Sequence, residues 1–302
     1  MIKITPSLSL IDLDQTMTGF KKFIASWLYH DKNVTFLVDP GPVNSIETLF
    51  QALKAEGITH LDYILLTHIH IDHAGGTGRL LEVFPMAKVI CHERGIQHMI
   101  SPEKLWQGSL KVLGKIAEGY GEIVPVPSDK ISYSDEIDLG SDRIIVLKTP
   151  GHAVHHLCYC FKGLLFAGEV SGVIHKAGDR LYARPATPPV FKLDVSLASL
   201  DLVLRSPFDK ICFGHYGYYE NPRPILEKAR EQLVNWVQTV ETELGKGEED
   251  LIERIISSLE SSDELLNSYS LLEEDIKERE HYFIRNSIKG MVQYVQSLSQ
   301  EQ

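Results

Sequence analysis

Residues 63–76 read Tyr63-Ile64-Leu65-Leu66-Thr67-His68-Ile69-His70-Ile71-Asp72-His73-Ala74-Gly75-Gly76. The first four are an apolar run of the buried-strand type. Three histidines and an aspartate then follow within six residues. A neutral imidazole is a metal ligand when its ring is aimed at an ion. Side chains leaving one strand end converge on a small volume, and Gly75-Gly76 allow a tight turn into a following helix. Clustered histidines and a carboxylate of this kind define a metal site better than they define a polar turn.

Outward from this stretch, the first 222 residues repeat the same style. Apolar runs at Thr35–Val38, Lys88–Cys91, Ile144–Leu147, Leu164–Ala167 and Lys210–Phe213 predict buried strands, alternating with helical patterns. The class is therefore α/β. Asn44-Ser45-Ile46-Glu47 predicts a capping box on a helix carrying Ile46, Leu49, Phe50 and Leu53. Two further strands end in histidines, at Lys148-Thr149-Pro150-Gly151-His152 and at Gly214-His215-Tyr216-Gly217. Seven of the thirteen histidines (68, 70, 73, 152, 155, 156 and 215) lie at these three strand ends.

The chain has 302 residues, 43% apolar and 24% charged, and a formal net charge of −11. That balance predicts a globular protein with a core large enough to need no disulfide. The acidity disfavours a nucleic-acid partner, which needs clustered Lys and Arg. After Asn221-Pro222 the pattern becomes helical, with apolar stripes through Leu226–Leu244, Leu251–Leu259 and Ile284–Leu298. Residues 223–302 hold 9 Lys+Arg and 17 Asp+Glu, so −8 of the charge belongs to this tail and −3 to residues 1–222. The expected organisation is a domain over 1–222 and a helical segment over 223–302, serving as a cap, a homodimer interface or both. No signal peptide or membrane-length apolar run is read, and Cys91, Cys158, Cys160 and Cys212 make no C-x-x-C pair. These features point to reduced thiols in a cytoplasmic protein with no membrane partner.

The series His68-x-His70-x-Asp72-His73, then Thr149-Pro150-Gly151-His152, then Gly214-His215 resembles the metallo-β-lactamase superfamily over about residues 10–220. The resemblance implies an αββα sandwich with the metal site at one edge of its two sheets. It implies His68, His70 and His152 on one divalent ion and Asp72, His73 and His215 on a second. Zn, Fe and Mn all suit such ligands. The family usually has a bridging Asp after the strand matching Leu164–Ala167, where this chain has Glu169.

Two such ions would generate a metal-bound hydroxide, with Asp72 orienting it as the catalytic carboxylate. The expected function is hydrolysis of an activated acyl bond (thioester, ester or lactone) in a small-molecule substrate. The glyoxalase II-like and quorum-signal-hydrolase-like branches fit this layout. A phosphodiesterase, a sulfur-dioxygenase-type metalloenzyme and a non-enzymatic metal-containing regulatory or binding module stay open. Candidate substrate contacts are Tyr182 and Arg184 around the proline-rich loop, Tyr216 beside His215, and His281 and Tyr282 if the tail folds over the site. His155, His156 and Asp39 are candidate partners of the ligand histidines.

Overall fold

The computed structural model describes residues 1–300. Its first sheet has seven strands: β1 (Ile2–Lys3), β2 (Leu8–Asp12), β3 (Ala25–His30), β4 (Thr35–Val38), β5 (Tyr63–Leu65), β6 (Lys88–Ile90) and β7 (Ile131–Ser132). β1 to β4 pair antiparallel, and β4 to β7 pair parallel. Parallel neighbours need crossovers, and α1 (Ile46–Ala55), α2 (Ile71–Ala74) and α3 (Thr77–Val83) provide them on one face. Three more helices, α4 (Glu93–Ile100), α5 (Glu103–Leu113) and α6 (Lys115–Tyr120), fill the path from β6 to β7.

The second sheet contains β8 (Glu136–Asp138), β9 (Arg143–Lys148), β10 (Leu157–Phe161) and β11 (Leu164–Gly168). A hairpin, β12 (Val173–Ala177) and β13 (Arg180–Arg184), branches off before α7 (Leu193–Arg205). The chain then returns through β14 (Lys210–Phe213) and β15 (Tyr218–Glu220), giving the order β15-β14-β11-β10-β9-β8. The tail forms α8 (Arg223–Leu244), α9 (Leu251–Ser262), α10 (Glu264–Asn267) and α11 (Glu274–Gln300).

Three cores make the layers. Trp27, Phe36, Leu65, Tyr159 and Phe166 are buried between the sheets. Leu49, Leu53, Ile64, Leu80 and Val89 join the first sheet to α1 and α3. Leu165, Ile211, Leu200, Trp236, Ile255 and Ile288 join the second sheet to α7 and the tail helices. The result is the expected αββα sandwich. The tail has no core apart from this last layer, because its stripes are buried against the second sheet. Two bonds tie the sheets at the histidine-bearing edge. Trp27 Nε1 donates to the carbonyl of Phe213 at 2.9 Å, and the Tyr159 hydroxyl donates to that of Leu66 at 2.7 Å.

The capping box does not form. α1 starts one residue later than expected, at Ile46, and Asn44 instead donates to Gln15 Oε1 and to the Gly119 carbonyl. Long-range bonds thus take the side chain that local pattern assigned to a cap. All four cysteines are free and buried. No helix among the described residues is long and apolar enough to cross a membrane.

α11 is fastened to the hairpin by a buried charged cluster. Glu280 is fully buried and accepts from Arg184 Nε, from the Tyr182 hydroxyl at 2.8 Å and from Arg279 Nε at 2.9 Å. His175 Nε2 lies 3.3 Å from Arg279 Nη2. Burial, only partly offset by Glu280, holds the His175 imidazole down at about 3, so it is neutral in the fold. In the unfolded chain it titrates near 6.5. Lowering the pH from 6.5 towards 3 therefore protonates only the unfolded chain, and stability falls by up to about 1.4 kcal/mol per pH unit. His175→Gln is expected to flatten this acid limb when urea midpoints are compared between pH 7 and pH 5. Parallel profiles for the two proteins would contradict it.

Candidate metal centre

Four of the five clustered histidines arrive with one ring nitrogen already held. Asp39 ends β4 in a left-handed conformation, φ 53°, which Asp tolerates better than most residues. Its carboxylate accepts from the Thr67 backbone N–H at 2.8 Å and the Thr67 hydroxyl at 2.6 Å, fixing the exit from β5. The same carboxylate lies 3.1 Å from His73 Nδ1. His152 Nδ1 faces the Ala186 carbonyl at 2.9 Å, His215 Nδ1 the Phe23 carbonyl at 3.3 Å, and His68 Nδ1 the Thr67 hydroxyl at 3.0 Å. In all four the Nε2 atom is left for the centre. Partners of this kind fix ring orientation in metal-ligating histidines.

Glu169 sits in the middle. The register between β11 and β14 shifts between Phe166 and Gly168, and Gly168 turns at φ 51°. A Cβ on Gly168 would strike His156 Nε2, so only glycine fits here. His156 Nε2 in turn accepts from the Glu169 backbone N–H at 3.0 Å, while its Nδ1 meets the Thr149 hydroxyl at 2.8 Å. His156 thus positions Glu169 and does not join the centre.

The donor atoms fall into two groups, His68, His70, His152 and Glu169 in one, Asp72, His73 and His215 in the other. Glu169 Oε2 is 3.0 Å from His152 Nε2, 3.4 Å from His68 Nε2 and 3.5 Å from His73 Nε2. Its Oε1 is 3.3 Å from His215 Nε2, so one carboxylate touches both groups. His70 Nδ1 and His152 Nε2 are 2.9 Å apart, and His73 Nε2 and His215 Nε2 are 3.3 Å apart. Ligands 2.0–2.1 Å from a tetrahedral ion stand about 3.3–3.4 Å from one another, so these spacings fit divalent ions. His68 Nε2 is buried and makes no hydrogen bond, the mark of a donor whose partner is an ion.

The electrostatics agree. Burial pushes the His73 imidazole down, but Asp72, Asp39 and Glu169 outweigh it and hold the ring well above its usual range. Burial pushes Glu169 up, yet His152 and His215 hold its carboxyl well below the usual range. Asp39, Asp72 and Glu169 thus bring three carboxylates to the centre, which suits a dication.

A cavity of about 1210 Å³ opens onto this centre, lined at its floor by His70, Asp72, His152, Glu169 and His215. Arg184 is in its wall, but its guanidinium is committed to Glu280 and is 3% exposed. The other expected substrate contacts are elsewhere. Tyr182 is fully buried against Glu280, and the Tyr216 hydroxyl faces Asp12 at 3.4 Å. On α11 the cavity is lined by Phe283, Asn286 and Ser287, a helical i, i+3, i+4 set. His281 and Tyr282 fall on other faces of that helix, and the Tyr282 hydroxyl donates to the Val112 carbonyl at 2.9 Å. Sequence pattern carries no signal for Phe23 or Tyr120, both in the wall. Phe23 stacks on His215 with centroids 4.2 Å apart, and the Arg279 guanidinium lies 3.9 Å from the centroid of the same Phe23 ring.

Known proteins resemble this chain in sequence and in fold. The family model of the metallo-beta-lactamase superfamily matches residues 20–215. A metallo-beta-lactamase fold-containing protein of Sulfurisphaera tokodaii is 29% identical over 221 residues, covering 71% of this chain and 80% of the relative. The hydroxyacylglutathione hydrolase of Photobacterium profundum is 30% identical over 146 residues, 47% of this chain and 45% of that protein. This chain therefore spans under half the length of that hydrolase. Among solved structures, an archaeal superfamily protein from Sulfolobus tokodaii superposes with a TM-score of 0.72 at 25% identity, covering 96% of this chain and 99% of the other. A family protein from Thermus thermophilus superposes at 0.67 and 17% identity, covering 98% and 95%, which bears on the fold alone. With about two thirds of the chain inside the family model and its histidines gathered at one sheet edge, the chain belongs to the metallo-beta-lactamase superfamily, whose members are mostly hydrolases.

Proposed function

We propose that this protein is a metal-dependent hydrolase of activated acyl bonds, with thioesters as its first substrate class. The observation that carries the reading is Glu169 joining two ligand groups at the floor of a substrate-sized cavity. Divalent ions held there would lower the pKa of water towards about 7 and polarise an acyl carbonyl. His68, His70 and His152 would hold one ion, and Asp72, His73 and His215 the other, with Glu169 between them.

The remaining work falls to the chain itself. Asp72 faces the cavity with 17% of its side chain exposed, whereas Glu169 has 7%. Asp72 is therefore the carboxylate that orients the attacking water and accepts its proton. Tyr120 in the wall keeps its phenol protonated, because burial and then the charge of Asp72 push it well above its usual range. The apolar wall keeps bulk water from the acyl group. The name of the Photobacterium relative, a hydrolase of a glutathione thioester, supports the choice of thioesters.

Elemental analysis of the purified protein, followed by assay of thioester, ester, lactone and phosphodiester panels, tests this reading. Thioester turnover that is lost with chelator and restored by the metal found is expected. A chelated, metal-free protein that stayed fully active would overturn it, as would turnover confined to phosphodiesters.

A further inference from the structure

The cavity has a shape and charge that the hydrolase reading does not require. It is larger than the roughly 300–1,000 Å³ that encloses a drug-sized ligand. A two- or three-carbon acyl group would leave most of it wet. Its wall is predominantly apolar, and much of that surface is unpartnered. α5 gives the wall Leu105, Val112 and Leu113; Leu105 and Leu113 also pack against the first core, whereas Val112 is exposed. Val112 is 57% exposed, Val154 52% and Val190 81%, and all three line the cavity. Val190 is also held at φ 77°, a conformation that a β-branched residue seldom adopts. Backbone strain of this kind gathers at ligand-binding segments. Apolar side chains held out around one cavity mark a surface that a ligand covers.

The charge around the cavity is of the opposite sign to that of the chain. Arg94, Lys104 and Lys192 line it, and all three are exposed. None of them lies in an ion pair among the described residues, and the neighbouring Glu93 is paired with Lys148. Asp72 and Glu169, both in the candidate metal centre, are the only acidic residues among those lining the cavity. A protein of net charge −11 has thus kept three unpaired cations, and no carboxylate outside the candidate metal centre, among the residues lining this apolar cavity. Such a mouth attracts an anion and disfavours a cation.

Building on the thioester reading, we infer that the substrate is a medium- or long-chain acyl thioester of a phosphate-bearing thiol, such as an acyl-coenzyme A. The acyl chain lies along Leu105, Val112, Leu113 and Phe283. The phosphates of the thiol carrier meet Arg94 and Lys104 at the mouth, and the thioester carbonyl reaches the floor at Asp72. Hydrolysis adds water across the C–S bond, releasing a fatty acid and the free thiol, with no redox partner.

Non-hydrolysable thioethers test the ligand class apart from the chemistry. Binding of S-dodecyl-coenzyme A, S-methyl-coenzyme A and the neutral N-acetyl-S-dodecylcysteamine to the full chain is measured by calorimetry. S-dodecyl-coenzyme A is expected to bind about tenfold tighter or more than either of the others. Val112→Asp should erase the preference for dodecyl over methyl and keep the preference for the charged carrier. Arg94→Glu combined with Lys104→Glu should do the reverse. Because each variant loses one preference and keeps the other, misfolding cannot imitate either result. Equal binding of the dodecyl and methyl compounds, or of the charged and neutral ones, overturns the inference. If S-dodecyl-coenzyme A binds as expected but dodecanoyl-coenzyme A is not hydrolysed, the hydrolase reading falls and the ligand class stands. Turnover of short neutral thioesters without these preferences has the opposite meaning.

Discussion

Replacing Glu169 by alanine is expected to lower turnover by about a thousandfold and to deplete the purified protein of metal. Glu169 is the side chain within 3.5 Å of donors in both groups, touching His152, His68 and His73 through Oε2 and His215 through Oε1. Alanine removes a charge that His152 and His215 stabilise as the carboxylate, and leaves four buried imidazoles facing one another. Losing several kcal/mol of charge stabilisation corresponds to about three powers of ten in rate. Glu169→Asp is expected to retain metal and part of the activity, since the charge persists and only reach is lost. Atomic absorption on both variants, with kcat on a thioester, reads the result. Unchanged metal content and kcat in Glu169→Ala would remove Glu169 from the centre.

The second large effect is on stability. Glu280→Ala is expected to cost about 3–5 kcal/mol, because it leaves the guanidiniums of Arg184 and Arg279 buried without a counter-charge. Urea unfolding followed by tryptophan fluorescence reads this as a lower midpoint at unchanged slope. Glu280→Gln retains acceptors without the charge and should lose less than alanine. A shift of under about 0.5 kcal/mol for Glu280→Ala, the scale of an ordinary surface substitution, would show that the cluster does not fasten the tail. The pH dependence has a defined sign. Burial pushes the Glu280 carboxyl up, but Arg184 and Arg279 more than offset this and hold it well below the usual range. Its contribution is therefore fully present above about pH 4.3 and is lost as the pH falls below that value. It adds to the loss from His175 at acid pH.

What could be read from sequence was local. The candidate ligand residues were legible because strand ends place them within six residues of one another, or directly after a Pro-Gly or Gly turn. The six strands anticipated from apolar runs all form, with ends displaced by a residue or so. The substrate wall was not legible, because it is assembled from distant segments. Phe23 reaches His215 across the fold, and Arg184 reaches Phe283. Tyr182 failed as a substrate contact for the same reason, since its hydroxyl is taken by Glu280 on the last helix. On α11 the region was anticipated but the face was not. Helical periodicity aims Phe283, Asn286 and Ser287 at the cavity and turns His281 and Tyr282 aside.

The contact of α11 with Phe23 also orders events during synthesis. His215 leaves the ribosome several seconds before Arg279 at roughly 5–20 residues per second. Through that interval Phe23 lacks the guanidinium above it, and the outer face of the second sheet lacks Ile288 and its neighbours. The nascent chain therefore carries an uncovered apolar face until α11 is complete.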